Sequence, residues 1–148
     1  MIVDKHAIKS RRLARKLALQ VLYQWLMSGD NLVAIAAQIE ELSVATKIDK
    51  PYFKRLVFGI ETNLSEIESA FSVYLDRPIQ QLNPIEHTIL RMSTYELLYV
   101  PETPFKIILD ESVNLARTFG AEEGHRYVNG VLHNLAQKVR AIEIEAFK

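Results

Sequence analysis

Apolar residues recur every three or four positions along most of this chain, and polar or glycine breaks divide the pattern into seven segments. In the first, Leu13, Leu17, Val21 and Trp25 share a helix face, with Ser10 as candidate N-cap and Gly29 as the stop. Asn31 can cap a second helix with a stripe of Leu32, Ile35, Ala36, Ile39 and Leu42, ahead of the polar stretch Ser43 to Lys50. Asp49 and Pro51 open a third, whose Phe53, Leu56, Val57 and Ile60 face inward. Ser65 with Glu68 three residues on reads as a capping box for a fourth, through Ile67, Phe71 and Tyr74 to the break at Arg77-Pro78.

The later segments are punctuated more sharply. Asn83, Pro84 and Glu86 supply an N-cap, a first-turn proline and a capping-box acid for a helix over 84–99, which Pro101 stops. Thr103-Pro104 starts the next, in which Ile108, Ser112, Leu115 and Phe119 line one side until Gly120. A last helix spans 124–142 on Val128, Val131, Leu132, Leu135 and Val139. Asn129-Gly130 is a hairpin signal in isolation, but the flanking period is 3.6 and not 2, which predicts helix. The fold class expected is therefore all-α with about seven helices, in a single domain over residues 1–148 with at best a seam at 62–83.

Composition narrows the function classes. A hydrophobic fraction of 49% with 24% charged residues is that of a globular protein. The absence of cysteine removes disulfides, thiol nucleophiles and thiolate zinc sites, and makes a reducing cytoplasm the expected location. Polar interruptions at Gln20, Tyr23, Gln24 and Trp25 argue against a secretory signal, and no apolar run predicts a membrane span. The net charge of zero conceals an asymmetry: residues 1–17 hold six bases and one acid, leaving twelve bases and seventeen acids for the rest. A basic end suits a polyanion, and an acidic body suits a basic protein.

No phosphate loop, nucleophile elbow or zinc helix is present. Glu122 and His125 form one Glu-x-x-His pair without the second pair and extra glutamates of a di-iron site, so no metal, cofactor or catalytic residue is expected. The cations carry more information. Arg11 with Arg15, and Arg12 with Lys16, are spaced i, i+4, and with Ser10 as the cap Lys9, Arg11 and Arg12 would oppose the helix dipole unless a phosphate bound there. The alternative is a solvated face. The corner Phe119 to Tyr127 places two glycines beside Arg126 and Tyr127, residue types that hold an RNA backbone and stack on unpaired bases; its alternative is a plain interhelical turn.

Arg11-Arg12-Leu13-Ala14-Arg15 followed by Ala18 to Gln24 resembles the opening of the NusB transcription antitermination family. Pro84-Ile85-Glu86, Ile89-Leu90-Arg91, Tyr95-Glu96-Leu97, Phe119-Gly120-Ala121-Glu122 and Tyr127 to Leu132 resemble later blocks of that family in their usual order. The resemblance spans nearly the whole chain and is weakest over 31–80. It departs at Asp110, Glu123, Gly124 and His133, where the family often has Asn, Asp, Ser and Asp. It implies two perpendicular three-helix bundles, with Gly130 as a close-packing position. It also implies binding to single-stranded boxA RNA of ribosomal RNA leader transcripts with the small-subunit ribosomal protein NusE, in an antitermination complex with RNA polymerase. By the same resemblance Arg11, Arg12, Arg15, Glu123, Arg126 and Tyr127 would face RNA, and Tyr23, Glu86 and Arg91 the protein partner.

Two other readings stay open. The same fold forms the RNA-binding front of ribosomal RNA cytosine methyltransferases, although 148 residues leave no room for their catalytic part. A structural helical dimerisation protein, acting as a homodimer, is the other. The expected activity is recognition without catalysis.

Overall fold

A computed structural model describes residues 5–43 and 47–146, so part of the polar stretch Ser43 to Lys50 lies outside the described residues. Those residues form α1 (Lys5–Ser28), α2 (Leu32–Leu42), α3 (Lys50–Thr62), α4 (Leu64–Ser72), α5 (Pro84–Tyr99), α6 (Phe105–Phe119), α7 (Gly124–Val139) and α8 (Ala141–Ala146), with a 3-10 turn at Ile79–Gln81 and no strand among them. The all-α expectation holds. The chain divides into two compact units, Met1–Glu61 and Thr62–Lys148.

Several helix ends follow directly from side-chain chemistry. Asn31 Oδ1 accepts the Ala34 N–H at 3.0 Å and Asp49 Oδ1 accepts the Tyr52 N–H at 3.0 Å. Asn83 Oδ1 accepts the Ile85 N–H at 2.9 Å, with Pro84 in the first helical position. Each such cap stabilises its helix by about 1 kcal/mol. Gly29 adopts φ +70°, the left-handed geometry that ends a helix without a Cβ penalty, and its N–H reaches Trp25 O.

Other ends depart from the sequence reading. α1 is already helical at Lys5, and Ser10 lies inside it with its hydroxyl on Ala7 O. Asn63, not Ser65, precedes α4, and Glu68 turns to α5 instead of closing a capping box. The expected final helix over 124–142 is interrupted at Arg140, which separates α7 from α8. Gly130 is helical, as the period required, but an added Cβ would meet nothing within 4 Å, so the close-packing role implied by resemblance is not what this glycine does.

In the first unit α1 packs on α2, and Ala14, Ala18, Val21 and Leu22 are buried. Phe53, Leu56 and Ile60 of α3 are fully buried, each stabilising by about 1.5–3 kcal/mol. In the second unit α5, α6 and α7 pack against one another as a three-helix core, α4 joins α5 and α7, and α8 follows α7. Nearly all of α5 is buried from Thr88 to Leu97, with Ser93 and Ser112 hydroxyls hydrogen-bonded to each other and to carbonyls one turn back.

Candidate nucleic-acid interface

Helix α1 sorts its cations onto two sides. Lys5, Lys9, Arg12 and Lys16 are exposed and fall at intervals of four, three and four residues, which keeps them on one face. Arg11 and Arg15 turn the other way. Their guanidinium carbons lie 4.0 and 5.5 Å from the Tyr52 ring centroid, and Arg11 Nε stands 3.8 Å from Asp49 Oδ2. Arg15 is only 4% exposed, so its role is to fix the start of α3 beside α1. The single basic ridge read from the sequence is thus an exposed row plus a clamp of half-buried Arg11 and buried Arg15. Because α1 is already helical at Lys5, Arg12 sits beyond the first turn, and the dipole conflict expected for it does not arise. A cleft of about 510 Å³ beside the row is lined by His6, Lys9, Ser10 and Lys47. Lys47 lies far from the basic run in sequence, and nothing in its local pattern marked it. Tyr23, further along α1, is half-buried.

In the second unit, α6 ends at Gly120 and α7 starts after Glu123, whose φ of +69° puts a non-glycine residue in the left-handed region. Arg126 Nε donates to Glu123 Oε2 at 3.0 Å, and both side chains are exposed. Tyr127, one residue on, is half-buried. Its hydroxyl accepts the Asp76 N–H at 3.3 Å, and the Arg77 guanidinium lies over its ring, 4.6 Å from the centroid. Glu86 Oε2 accepts the Ala121 N–H at 3.3 Å instead of closing the capping box of α5. A Cβ at Gly124 would stand 2.2 Å from that same oxygen, so glycine here is what lets the carboxylate approach the corner. Arg77, Glu86, Glu123, Gly124 and Tyr127 border a cleft of about 450 Å³. Asp76 and Arg77, far from the corner in sequence, were missed; only the Arg-Pro break hinted that the chain turned there.

Arg91 is buried, and its Nε donates to Glu68 Oε2 at 2.8 Å; His87 Nε2 bonds the same oxygen. Burial alone would raise the Glu68 carboxyl, but hydrogen bonds from His87 and Arg91 outweigh it and hold the pKa below the usual 4.5. A depressed carboxyl stabilises the fold above its unfolded pKa, and that stabilisation is lost as pH falls through the folded value. Glu68→Gln should therefore lower stability at neutral pH and give a shallower loss below about pH 4.5. Parallel urea titrations at pH 7 and pH 3 check this, and a wild-type acid limb in the variant contradicts it.

Among the described residues no three His, Cys, Asp or Glu groups stand together as a metal site, and no helix is long and apolar enough to cross a membrane. Residues 12–137 match the NusB family model. The chain belongs to the NusB family. It is 52% identical to the transcription antitermination protein NusB of Legionella pneumophila (strain Corby) over 142 residues, covering 96% of this chain and 97% of that one. Among solved structures it resembles T. maritima NusB, with TM-score 0.76, 30% identity and coverage of 86% and 91% of the two chains. It also resembles a chain in a crystal structure of the antitermination factors NusB and NusE with double-stranded RNA, with TM-score 0.80, 27% identity and coverage of 87% and 97%. Family membership accounts for the motifs that run from the arginines of α1 to the Tyr127 block.

Within this NusB chain, Glu123, Arg126 and Tyr127 are brought together at one corner, and Glu86 supports that corner from α5. Arg11 and Arg15 are brought together on Tyr52, leaving Arg12 exposed with Lys5, Lys9 and Lys16.

Proposed function

We propose that this protein is an RNA-binding antitermination factor that takes boxA-type single-stranded RNA of ribosomal RNA leaders together with the ribosomal protein NusE, and so keeps RNA polymerase processive. The observation that carries this reading is the exposed row of Lys5, Lys9, Arg12 and Lys16 on one face of α1. A linear row of cations follows a phosphate backbone without reading bases. Base contacts fall to the corner, where Arg126 and Glu123 offer polar groups and Tyr127 an aromatic ring. Arg11 and Arg15 act by holding the row in place. Tyr23 and Glu86 are proposed for the protein partner, with Arg91 contributing through Glu68. The acidic remainder of the chain complements a basic ribosomal protein. The solved complex of the antitermination factors NusB and NusE with double-stranded RNA, one chain of which this protein resembles, supports the pairing of partners.

Salt titration tests the backbone term. Each neutralised phosphate of a single strand adds about 0.7 to the negative slope of log affinity against log salt. Arg12→Ala with Lys16→Ala should flatten the slope by roughly 1.4 for matched and scrambled RNA alike. Wild-type protein should prefer the matched strand, and more so when NusE is added. Equal affinity for both strands, with and without NusE, would refute the proposal.

A further inference from the structure

The Tyr127 ring proposed above for base stacking has a cover. Arg77 lies over its face, with Arg77 Nε and Nη2 donating to the two carboxylate oxygens of Asp76 at 2.6 and 3.1 Å. The Asp76 backbone N–H holds the phenol oxygen, so two adjacent residues engage both the ring and the hydroxyl. A base in contact with planes on both sides needs roughly 7 Å between them, twice the optimal carbon separation. The 4.6 Å present leaves no such space. Asp76 and Arg77 belong to the non-helical stretch between α4 and the 3-10 turn, so moving the guanidinium breaks no helical hydrogen bond.

We infer that Arg77 and Tyr127 are the two walls of a slot for one unpaired nucleobase, which enters by lifting the guanidinium off the ring. The inference rests on the RNA-binding reading and adds to it a residue and a mode of capture. A planar guanidinium stacks on a base as readily as on a phenol, so the cation–π contact is exchanged and not lost. The cleft beside the slot measures about 450 Å³, within the range of small-ligand sites. Its charged lining includes Glu86, Glu122 and Glu123 against the single cation Arg77. Carboxylates accept hydrogen bonds and repel phosphate, so the occupant is a base edge carrying amino donors, not a backbone phosphate.

The test uses the full chain, a boxA-type single-stranded RNA, and the same strand made abasic at each position in turn. Arg77→Ala should weaken binding by roughly three- to tenfold with an unchanged salt slope. One abasic position should cost wild type affinity and cost Arg77→Ala much less. Arg77→Lys, which keeps the charge and loses the plane, should behave like Arg77→Ala, and Arg77→Ala combined with Tyr127→Ala should bind no more weakly than the product of effects predicts, and measurably more tightly. Unchanged or tighter binding by Arg77→Ala overturns the inference and leaves Arg77 a simple cover. A slope flattened by about 0.7, or rescue by lysine, overturns it in favour of a phosphate contact. If Tyr127→Ala itself binds as wild type, the stacking part of the proposed function fails and the slot with it. If Tyr127→Ala is weakened while Arg77→Ala is not, only the slot fails.

Discussion

Replacing Arg140 with alanine is expected to destabilise the protein by about 3–5 kcal/mol, the range for removing one partner from a buried charged network. Arg140 is 7% exposed, and its guanidinium meets the carbonyl oxygens of Glu96, Leu97, Val100 and Thr103 at 2.8 to 3.1 Å. Glu96 and Leu97 lie in the last turn of α5 and Val100 is its C-cap; Glu96 O and Val100 O also accept the Val100 and Thr103 N–H groups, and the helix dipole favours a cation at this end. A further donor of Arg140 binds the Glu143 carboxylate, whose other oxygen accepts the Phe105 N–H at the start of α6. One side chain at the α7–α8 break therefore ties the end of α5 to the start of α6. Lysine has three donors on a point charge and cannot span four carbonyls, so Arg140→Lys should recover little of the loss. For a chain of this size the melting temperature should fall by roughly 6–20 °C. Urea denaturation of both variants measures it; a loss under about 1 kcal/mol would mean that water replaces the guanidinium at no great penalty.

Tyr127→Ala should weaken binding of single-stranded RNA by about 1–3 kcal/mol, the usual worth of one base stacked on an aromatic ring. Folding should survive, because the ring is half-buried at the edge of the unit and its hydroxyl makes one long bond to the Asp76 N–H. Tyr127→Phe should be nearly silent, since stacking needs the ring and that hydrogen bond is replaceable by water. Calorimetry on the three proteins with one RNA separates the readings. A fully folded alanine variant with wild-type affinity would remove Tyr127 from the interface, and a phenylalanine variant as weak as alanine would show that the hydroxyl, not the ring, matters.

Helix identity was legible in the sequence because it depends on neighbours three or four residues away. The period of Phe53, Leu56, Val57 and Ile60 buried that face of α3, and Asn31, Asp49 and Asn83 capped the helices they precede. The period around Asn129-Gly130 also outweighed its hairpin signal. The NusB family was legible through runs of residues whose order survives in the chain. Local reasoning misjudged ends whose side chains had distant competitors. Glu68 and Glu86 both stand where a capping box would use them, yet Glu68 bonds His87 and Arg91, and Glu86 bonds Ala121.

Tertiary structure alone decided which charges do what. Arg11, Arg12 and Arg15 look alike in sequence, but Tyr52 and Asp49 engage two of them and leave the third in an exposed row. Arg140 resembles a surface cation near a chain end, and becomes a buried cap only because the α5 carbonyls converge on it. Arg77 meets Tyr127 across fifty residues of chain, a separation at which no periodicity carries information. The physical reason is common to all three. A helix is set by short-range spacing, whereas the fate of a charged side chain is set by whichever opposite charge, carbonyl or ring the completed fold brings within a few ångströms.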